Sequence, residues 1–276
     1  MMLSGVIGSP IGHSRSSLIF NSIFAAHGID AFYLSMDVKP GELDGFCRAS
    51  VQSFAGYNVT APHKIPVMNY LDSIEPAAAE IGSVNLVRIA GGKSRGYNVD
   101  LAGFASAVRD SGVNLNGKRI LIAGSGGIFR AVSHYIFSNF KPESVDVMVR
   151  DTARAGKKLG DYVFRNSFSI VSGEKAIEKE YEVLINCTPV GTDPRILETP
   201  FPDALIGRAS IGIEVVYNPP MTEFLRRMSN RGGKVVTGEN LFIYQAMESM
   251  RILFGLIVAK EEIIKILGTV PGNAGH

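Results

Sequence analysis

The sequence predicts an α/β protein in which short strands alternate with helices and form mostly parallel sheets. Four apolar runs near the N-terminus are typical of strands: LSGVIG (3–8), AFYLSM (31–36), FAGYNV (54–59) and VNLVRI (84–89). Between them lie segments such as SLIFNSIFAAHG, whose apolar residues recur at helical spacing. This alternation indicates βαβ units, and a length of 276 residues allows one large domain or two of ordinary size.

A second α/β unit is predicted after SGVNLNGK (111–118), whose Ser, Gly and Asn content is typical of a connection. Strand-like runs follow at VDVMV (145–149), YEVLINCT (181–188) and ASIGIEVVY (209–217), as expected of a doubly wound sheet. The last apolar segment is predicted to be a helix with one buried face, formed by Leu241, Tyr244, Met247, Met250, Leu253 and Phe254.

Composition favours a small-molecule partner and gives no support for a nucleic-acid or membrane partner. The net charge is only +2, and no block of basic residues is present. The apolar run ILFGLIVA stops at Lys260 and is far shorter than the roughly 18 residues of a membrane span. The N-terminus lacks the basic region of a signal peptide, so we expect a cytoplasmic protein.

Cysteine spacing predicts neither a disulfide nor a metal site. Cys47 and Cys187 are far apart, show no CxxC spacing and have no His or Cys neighbour. We expect both to be reduced, buried thiols.

The segment KRILIAGSGGIFRAVSHYIF predicts a dinucleotide site at a strand-to-helix turn. Gly124, Ser125, Gly126 and Gly127 follow a strand-like run and precede a helical pattern. Glycines there let the backbone approach a pyrophosphate, and the helix N-terminus offers free N–H groups. Phe129 occupies the position of the third glycine in the G-x-G-x-x-G motif, so a tight turn without a ligand remains the alternative.

The residues after the next strand favour NADP, with NAD as a possibility. An acid at the end of this strand binds the ribose 2′-hydroxyl of NAD, whereas arginine accommodates the 2′-phosphate of NADP. Here Arg150, Asp151 and Arg154 supply both signals. Two guanidiniums can clamp a phosphate dianion, and Asp151 can pair with one of them instead of facing the ribose.

Polar residues follow the strands of the first unit, where open α/β sheets present ligand groups. Ser14 and Ser16, one residue apart, can both donate to a single carboxylate, although either can simply cap the following helix. The stretch YNVTAPHK ends a strand and delivers Lys64. A lysine can donate a proton to a ketone oxygen or, when neutral, accept one from an alcohol. A surface lysine is the alternative.

Two further polar residues, Asn85 and Asp100, come at the start of one strand and after the next. Together an amide and a carboxylate can bind vicinal hydroxyls, and the carboxylate can hold the lysine in place. Asp100 can instead be the N-cap of the helix that follows. His13 and His63 are weaker candidates for a general base, because single histidines beside turns are commonly only hydrogen-bonded.

Taken together, these motifs, from GSPIGHSRSS to GENLFIYQAMES, resemble the shikimate dehydrogenase family in order and spacing over nearly the whole chain. The resemblance implies that Ser14 and Ser16 hold the substrate carboxylate, with Tyr217 nearby. It implies that Lys64 and Asp100 are the catalytic pair. The pocket would be completed by Thr60, Asn85 and Gln245.

The resemblance also implies a two-domain organisation. Residues 1–102 and 240–276 would form the substrate domain, completed by the C-terminal helices, and residues 103–239 a Rossmann-like NADP-binding domain. AGSGGIFRA matches the glycine loop of the family, VRDTARA its adenosine-side loop, and INCTPVGTDP the stretch that passes the nicotinamide. The implied cofactor residues are Gly124, Ser125, Gly126, Gly127, Arg150, Asp151, Arg154, Thr188, Val215 and Gly238.

The implied activity is the reversible NADP-dependent reduction of 3-dehydroshikimate to shikimate, in aromatic amino-acid biosynthesis, by a monomer or homodimer. Several residues depart from the family pattern: Ser17 for Pro, Leu86 for Thr, Val99 for Thr and Thr192 for Met, and in the adenosine-side loop Val149 for Asn and Asp151 for Thr. Val99 lacks a hydroxyl, so quinate is an alternative substrate, and for shikimate Val99→Thr is expected to lower KM. A non-catalytic nucleotide sensor is the other alternative, but it would not need Lys64, Asp100, Asn85 and Gln245 together.

Overall fold

The structure, a computed structural model, describes residues 1–12, 14–160, 162 and 167–268. The chain forms two compact units: Met1–Ala102 with Ile243–His276 (unit one) and Gly103–Phe242 (unit two). The division falls inside helix α4 (Val99–Ser111), which continues from one unit into the next. The second unit therefore begins before segment 111–118, where composition predicted the boundary, and this segment only leads from α4 to the next strand. Composition gave no sign of the observed boundary, because it falls within a continuous helix.

A mixed six-stranded sheet forms the centre of unit one, in the order β2-β1-β3-β5-β6-β4. Its strands are β1 Met2–Gly8, β2 Ala31–Asp37, β3 Phe54–Val59, β4 Ser73–Ile74, β5 Leu86–Ala90 and β6 Lys93–Tyr97. Strand β1 is parallel to β2 and β3, while β5 is antiparallel to both β3 and β6. The β5–β6 hairpin was not predicted, although Gly91 and Gly92, with φ of 58° and 71°, supply the positive φ angles of a two-residue hairpin turn.

The helices of unit one pack on this sheet. They are α1 Ser16–Ala26, α2 Leu43–Ser53, α3 Pro76–Ile81, the start of α4, most of α10 Gly238–Phe254 and α11 Lys260–Gly268. The predicted apolar face of α10 is confirmed in part: Leu241, Met250 and Leu253 are buried, whereas Tyr244, Met247 and Phe254 are only half-buried. Phe242, Ile243 and Ala246, which were not predicted, are buried on this helix as well. Asn58 of β3 donates a hydrogen bond to Ser249 Oγ of α10 at 2.9 Å, which ties this helix to the sheet.

Unit two is a doubly wound parallel sheet of six strands, in the order β12-β11-β10-β7-β8-β9. The strands are β7 Arg119–Ala123, β8 Ser144–Met148, β9 Ser169–Val171, β10 Val183–Asn186, β11 Ile211–Glu214 and β12 Lys234–Val236. The connecting helices are α5 Gly127–Asn139, α6 Thr152–Leu159, α7 Gly173–Ile177, α8 Asp203–Ile206 and α9 Glu223–Asn230. The three-residue strands β9 and β12 were not predicted from the sequence, because they are too short to show a period.

Both faces of this sheet are covered. Ile120 and Ile122 of β7 are buried in one apolar cluster, while the intervening Leu121 is buried in another. Alternate residues of a strand point to opposite faces, so helices pack on both sides. Strand order reverses between β7 and β10, and ligands of such folds bind at the carboxyl ends of the strands beside this point. The α/β fold with a Rossmann-like unit is thus confirmed.

The structure also bears on the cysteines and on membrane crossing. Cys47 and Cys187 are both buried. Within the described ranges, no helix has the length and apolar character needed to cross a membrane.

Candidate active site

Lys64 and Asp100 form an ion pair in unit one. Lys64 Nζ donates to Asp100 Oδ2 at 2.5 Å, and the two side chains are only 16% and 7% exposed. The backbone around Lys64 is also held, since the Lys64 carbonyl accepts a hydrogen bond from the Val84 N–H at 2.8 Å. The structure therefore places this lysine in a partly buried site and not on the open surface.

Asp100 lies in the first turn of α4 and is not its cap. The capping residue is Asn98, whose Oδ1 accepts a hydrogen bond from the Leu101 N–H at 3.2 Å and whose Nδ2 donates to the Ser83 carbonyl at 2.8 Å. The alternative in which Asp100 caps the helix is therefore wrong. Because Asn98 satisfies the helix end, the Asp100 carboxylate is available to hold Lys64.

Asn85 helps to position the same helix. Its side-chain oxygen accepts a hydrogen bond from the Val99 N–H at 2.7 Å, and the residue is 3% exposed. In the described part of the chain, its Nδ2 donates to no protein group. This amide is thus the part of Asn85 that can bind a hydroxyl.

Ser14 and Ser16 lie at the start of α1, which begins at Ser16. Ser14 Oγ accepts a hydrogen bond from the Ser16 N–H at 3.3 Å, which forms a local turn, whereas the N-cap position of α1 is Arg15 and has no side-chain cap. Thr60 follows β3, and its methyl group occupies the space that a side chain at Gly8 would need. Over the described ranges, neither serine makes a hydrogen bond to Lys64 or Asp100.

The histidine candidates do not join this pair. His63 is 1% exposed, and a ring nitrogen donates to the Val38 carbonyl at 2.7 Å. That bond fixes the chain after β2, so His63 has a structural role. His13 lies outside the described residues.

The glycine loop of unit two forms an open cradle at the end of β7. Gly124 has φ of 97°, and a side chain there would lie 2.8 Å from Thr188 Cγ2, so only glycine fits. Gly126 precedes α5, and no other group lies within 4 Å of the position its side chain would take. The backbone just before α5 therefore has free space on the side of this position, where a pyrophosphate could approach the helix N-terminus. Ser125 and Gly127 are half-buried in the same loop.

Glu214 organises the loops after β10 and β11. It is 1% exposed and accepts hydrogen bonds from the Val215 and Val216 N–H groups, both at 2.9 Å. Its other oxygen accepts from Asn186 Nδ2 at 3.1 Å and Thr222 Oγ1 at 3.0 Å. Burial raises the pKa of Glu214 to about 7, although these four donors oppose the shift. One carboxylate thus joins two strand ends.

Three other predicted residues of unit two are held near these loops. Thr188 Oγ1 donates to Asn186 Oδ1 at 2.7 Å and accepts from the Val190 N–H at 3.1 Å. A side chain at Gly238 would collide with the backbone of Val215 and Val216, so these segments touch. Tyr217 stacks on Phe242, with ring centroids 3.9 Å apart.

The arginines after β8 are exposed, and the acid beside them is engaged elsewhere. Asp151 is the N-cap of α6, and its Oδ1 accepts a hydrogen bond from the Arg154 N–H at 2.9 Å. Among the described residues, neither Arg150 nor Arg154 forms an ion pair with a carboxylate. Asp151 therefore does not pair with either guanidinium, although the sequence allowed such a pair. Its carboxylate instead stabilises the start of α6.

Gln245 lies half-buried on α10, where its carbonyl accepts a hydrogen bond from Ser249 Oγ at 2.8 Å. Among the described residues, no three His, Cys, Asp or Glu side chains are grouped so that they could hold a metal ion.

Comparison with known proteins identifies the family. The model for the shikimate dehydrogenase substrate binding domain matches residues 6–87. A Thermoplasma acidophilum protein named shikimate dehydrogenase (NADP(+)) is 37% identical over 252 residues, which cover 91% of this chain and 90% of that protein. The chain belongs to the shikimate dehydrogenase family.

Other relatives agree. A Bacillus cereus shikimate dehydrogenase (NADP(+)) is 33% identical over 274 residues, covering 96% of this chain and 99% of that protein. The crystal structure of shikimate 5-dehydrogenase from Thermus thermophilus, in complex with NADP(H) and shikimate, is 29% identical with a TM-score of 0.83. That similarity covers 96% of this chain and 98% of the other.

Two departures from the shikimate dehydrogenase pattern, Leu86 and Val99, pack against each other. Both are buried with Leu253 in one apolar cluster, and Val99 is 1% exposed. The sequence alone predicted that Val99 leaves a hydroxyl missing from the substrate pocket. The structure instead places its side chain among apolar neighbours, where a threonine hydroxyl would be desolvated.

Two residues that position neighbouring groups, one in each unit, were not found from the sequence. Asn98 caps α4 and so aims Asp100, and its signal was present, because Asn directly before a helical run is a typical cap. Glu214 was hidden inside the run ASIGIEVVY, where a single acid at a strand end gives no sign of the four donors around it.

Proposed function

We propose that this chain is an NADP-dependent shikimate dehydrogenase in which Lys64 is the acid–base residue and Asp100 orients it. The observation that carries the proposal is the partly buried 2.5 Å ion pair between these two side chains. Taking a lysine and an aspartate out of water is costly, and a surface pair contributes little to stability. Asn98 and Asn85 fix the start of α4 and with it Asp100. A role of Lys64 in proton transfer explains why the protein keeps this costly ion pair.

Proton transfer at Lys64 follows from its position. The ammonium donates a proton to the ketone oxygen of 3-dehydroshikimate as that oxygen becomes a hydroxyl, and in the reverse direction the amine accepts it. Lys64 is 16% exposed, so solvent can restore its proton. NADPH, when bound, supplies the hydride that reduces the ring carbon. Asp100 acts by fixing the direction of Lys64 Nζ.

We assign recognition of the substrate to neutral hydrogen-bonding side chains. The hydroxyls of Ser14 and Ser16 would bind the ring carboxylate together with Tyr217. The Asn85 amide, which has no other group to bind among the described residues, would bind a ring hydroxyl with Thr60 and Gln245. A sensor without catalysis would not need the charged pair among these groups.

The residues of unit two fit the cofactor. The open cradle at Gly124 to Gly127 and the N-terminus of α5 would hold the pyrophosphate. Arg150 and Arg154 would bind the 2′-phosphate, because Asp151 is engaged as a helix cap. Thr188, Val215 and Gly238 would line the nicotinamide side, where Glu214 holds the loops. We propose that the enzyme works in the cytoplasm as a monomer or homodimer, without nucleic-acid or membrane partners.

The test is a set of initial rates with shikimate and with quinate, each with NADP and with NAD. The expected result is the highest kcat/KM with shikimate and NADP, exceeding NAD by at least about tenfold. A preference for quinate would overturn the substrate assignment. Equal or better turnover with NAD would show that the arginines do not select the cofactor.

A further inference from the structure

Arg130 is a partly buried cation that the site described so far does not use. It lies in the first turn of α5, just beyond the glycine loop, and its guanidinium carbon is 4.7 Å from the centre of the Tyr162 ring. Its Nε is buried and has no hydrogen-bond partner among the described residues. Burial lowers the pKa of Arg130, so this charge is held in place at a cost.

Lys158 brings a second unused cation to the same region. It lies on α6 four residues after Arg154, and residues at this spacing share one face of a helix. The two helices meet here, because Phe129, next to Arg130, and Leu159, next to Lys158, are buried in one apolar cluster. Burial and the nearby charges of Arg130 and Arg154 lower the pKa of Lys158. Its side chain nevertheless remains accessible to a ligand.

The three cations have no carboxylate to neutralise them within the described residues. No ion pair is formed there by Arg130, Lys158 or Arg154. Asp151, the acid closest in sequence to Arg154, is directed to a backbone N–H. Like charges on two different helices repel one another, and an anion that binds between them removes the repulsion.

We propose that Lys158 and Arg130 join Arg154 to bind the 2′-phosphate of NADP, and that Lys158 is a specificity-determining residue for this cofactor. The inference rests on the proposed function and adds two residues to its phosphate site. Arg130 comes from the helix that begins at the glycine loop, and Lys158 comes from the helix that begins after β8. A dinucleotide bound at the glycine loop carries its adenosine ribose toward the end of this second strand. Contacts from a second helix would fix the phosphate more firmly than Arg150 and Arg154 alone.

The test measures nucleotide binding without turnover, by titration calorimetry with 2′,5′-ADP and 5′-AMP. These probes differ only in the 2′-phosphate. We expect Lys158→Gln to weaken 2′,5′-ADP about tenfold and to leave 5′-AMP within about twofold. Lys157→Gln is the matched control, because it removes the same charge from the adjacent, exposed position and should change neither affinity by more than about twofold.

A second variant, Arg130→Gln, should weaken 2′,5′-ADP in the same selective way, with the unfolding temperature recorded to check the fold. Equal losses for both nucleotides, or unchanged 2′,5′-ADP binding in Lys158→Gln, would overturn the inference while the proposed function stands. A wild-type protein that binds 2′,5′-ADP no better than 5′-AMP would overturn the NADP preference itself, and the inference with it.

Discussion

The charged groups at the strand ends of unit one and of unit two are arranged in opposite ways. In unit one, Lys64 is paired with Asp100 and only 16% exposed. In unit two, Arg150, Arg154 and Lys158 are exposed, and none of them pairs with a described carboxylate. Glu214, a buried acid at the end of β11, is surrounded by neutral donors.

The difference separates two uses of charge. A lysine that transfers a proton must keep one direction at all times, so the protein supplies its counter-ion and buries both groups. Cations that bind a charged ligand gain most when their counter-ion is the ligand. We therefore expect changes in unit one to affect kcat and changes in the cations of unit two to affect cofactor choice.

The largest effect is expected from Lys64→Ala. Loss of the acid–base group should lower kcat by about 10² to 10⁴, with little change in KM, because substrate binding depends on other residues. Steady-state kinetics measures both constants, and Lys93→Ala removes an exposed lysine of unit one as the control. More than roughly a tenth of wild-type kcat in Lys64→Ala would contradict the catalytic assignment.

Removal of Lys64 also leaves a buried carboxylate without its partner, so stability must be separated from chemistry. The double variant Lys64→Ala/Asp100→Asn removes both charges. It should recover unfolding temperature relative to the single variant but no activity. Recovery of kcat in the double variant would place the acid–base function elsewhere.

The second prediction concerns Glu214, the buried acid at the end of β11. The pKa of Glu214 is about 7 in the folded chain, above its ordinary value of 4.5, so the folded state binds the proton more tightly. Its contribution to stability is present below pH 4.5 and is lost as the pH rises through about 7, on the order of 3 kcal/mol in full. Urea unfolding from pH 5 to pH 8 should therefore show a falling free energy in the wild type.

Glu214→Gln provides the comparison, because it keeps the shape and removes the charge. The hydrogen bonds that Gln cannot make change the free energy of unfolding of the variant by the same amount at every pH. The variant also has no carboxyl group at this position to titrate. The wild-type curve should fall relative to the variant between about pH 5 and pH 8. Parallel curves would show that Glu214 stays ionised, and that its four donors outweigh its burial.

Arg150→Ala is expected to have a smaller effect, on cofactor choice alone. One guanidinium of the proposed phosphate site is lost, so most of the expected tenfold or greater preference for NADP over NAD in kcat/KM should disappear. Rates with NAD should stay near those of the wild type. Arg109→Ala removes an exposed arginine of α4 in the same unit and should leave the preference intact. Equal losses with both cofactors would contradict a role specific to the 2′-phosphate.

The smallest effect is expected from Val99→Thr, and the structure reverses the expectation from sequence. The new hydroxyl would lie beside Leu86 and Leu253, so we expect a loss of roughly 1 to 2 kcal/mol in the free energy of unfolding and an unchanged KM for shikimate. Val99→Ala is a matched comparison that shortens the side chain without a polar group. A several-fold lower KM in Val99→Thr would show that this side chain reaches the substrate.

Strands with a clear hydrophobic pattern could be predicted from the sequence, and β3 was predicted with its observed limits, Phe54–Val59. Helix α10 was predicted by its apolar period. The division within α4 could not be found from composition, because a helix that belongs to two units keeps one uniform pattern; only the resemblance to the family implied a boundary after residue 102. The hairpin of β5 and β6 was missed although its two glycines were visible.

The candidate site divides in the same way. Motif order was enough to propose Lys64 and Asp100, and the structure brings them together. Sequence could not tell which acid near a helix start is the cap: Asp100 is not, whereas Asp151 is. The sequence also could not show that Leu86 and Val99 are neighbours, because their contact depends on how β5 packs against α4 and α10.

The discontinuity of unit one has a consequence for the order of events on the ribosome. Unit two is an uninterrupted segment, whereas unit one needs the residues from Ile243 onward. The buried Asn58 of β3 can donate a hydrogen bond to Ser249 Oγ only after the whole of unit two has been synthesised. Domains generally fold during synthesis from the N-terminus onward. Here unit two is complete before unit one. Residues 1–102 therefore remain incompletely packed until the segment from Ile243 onward has been synthesised.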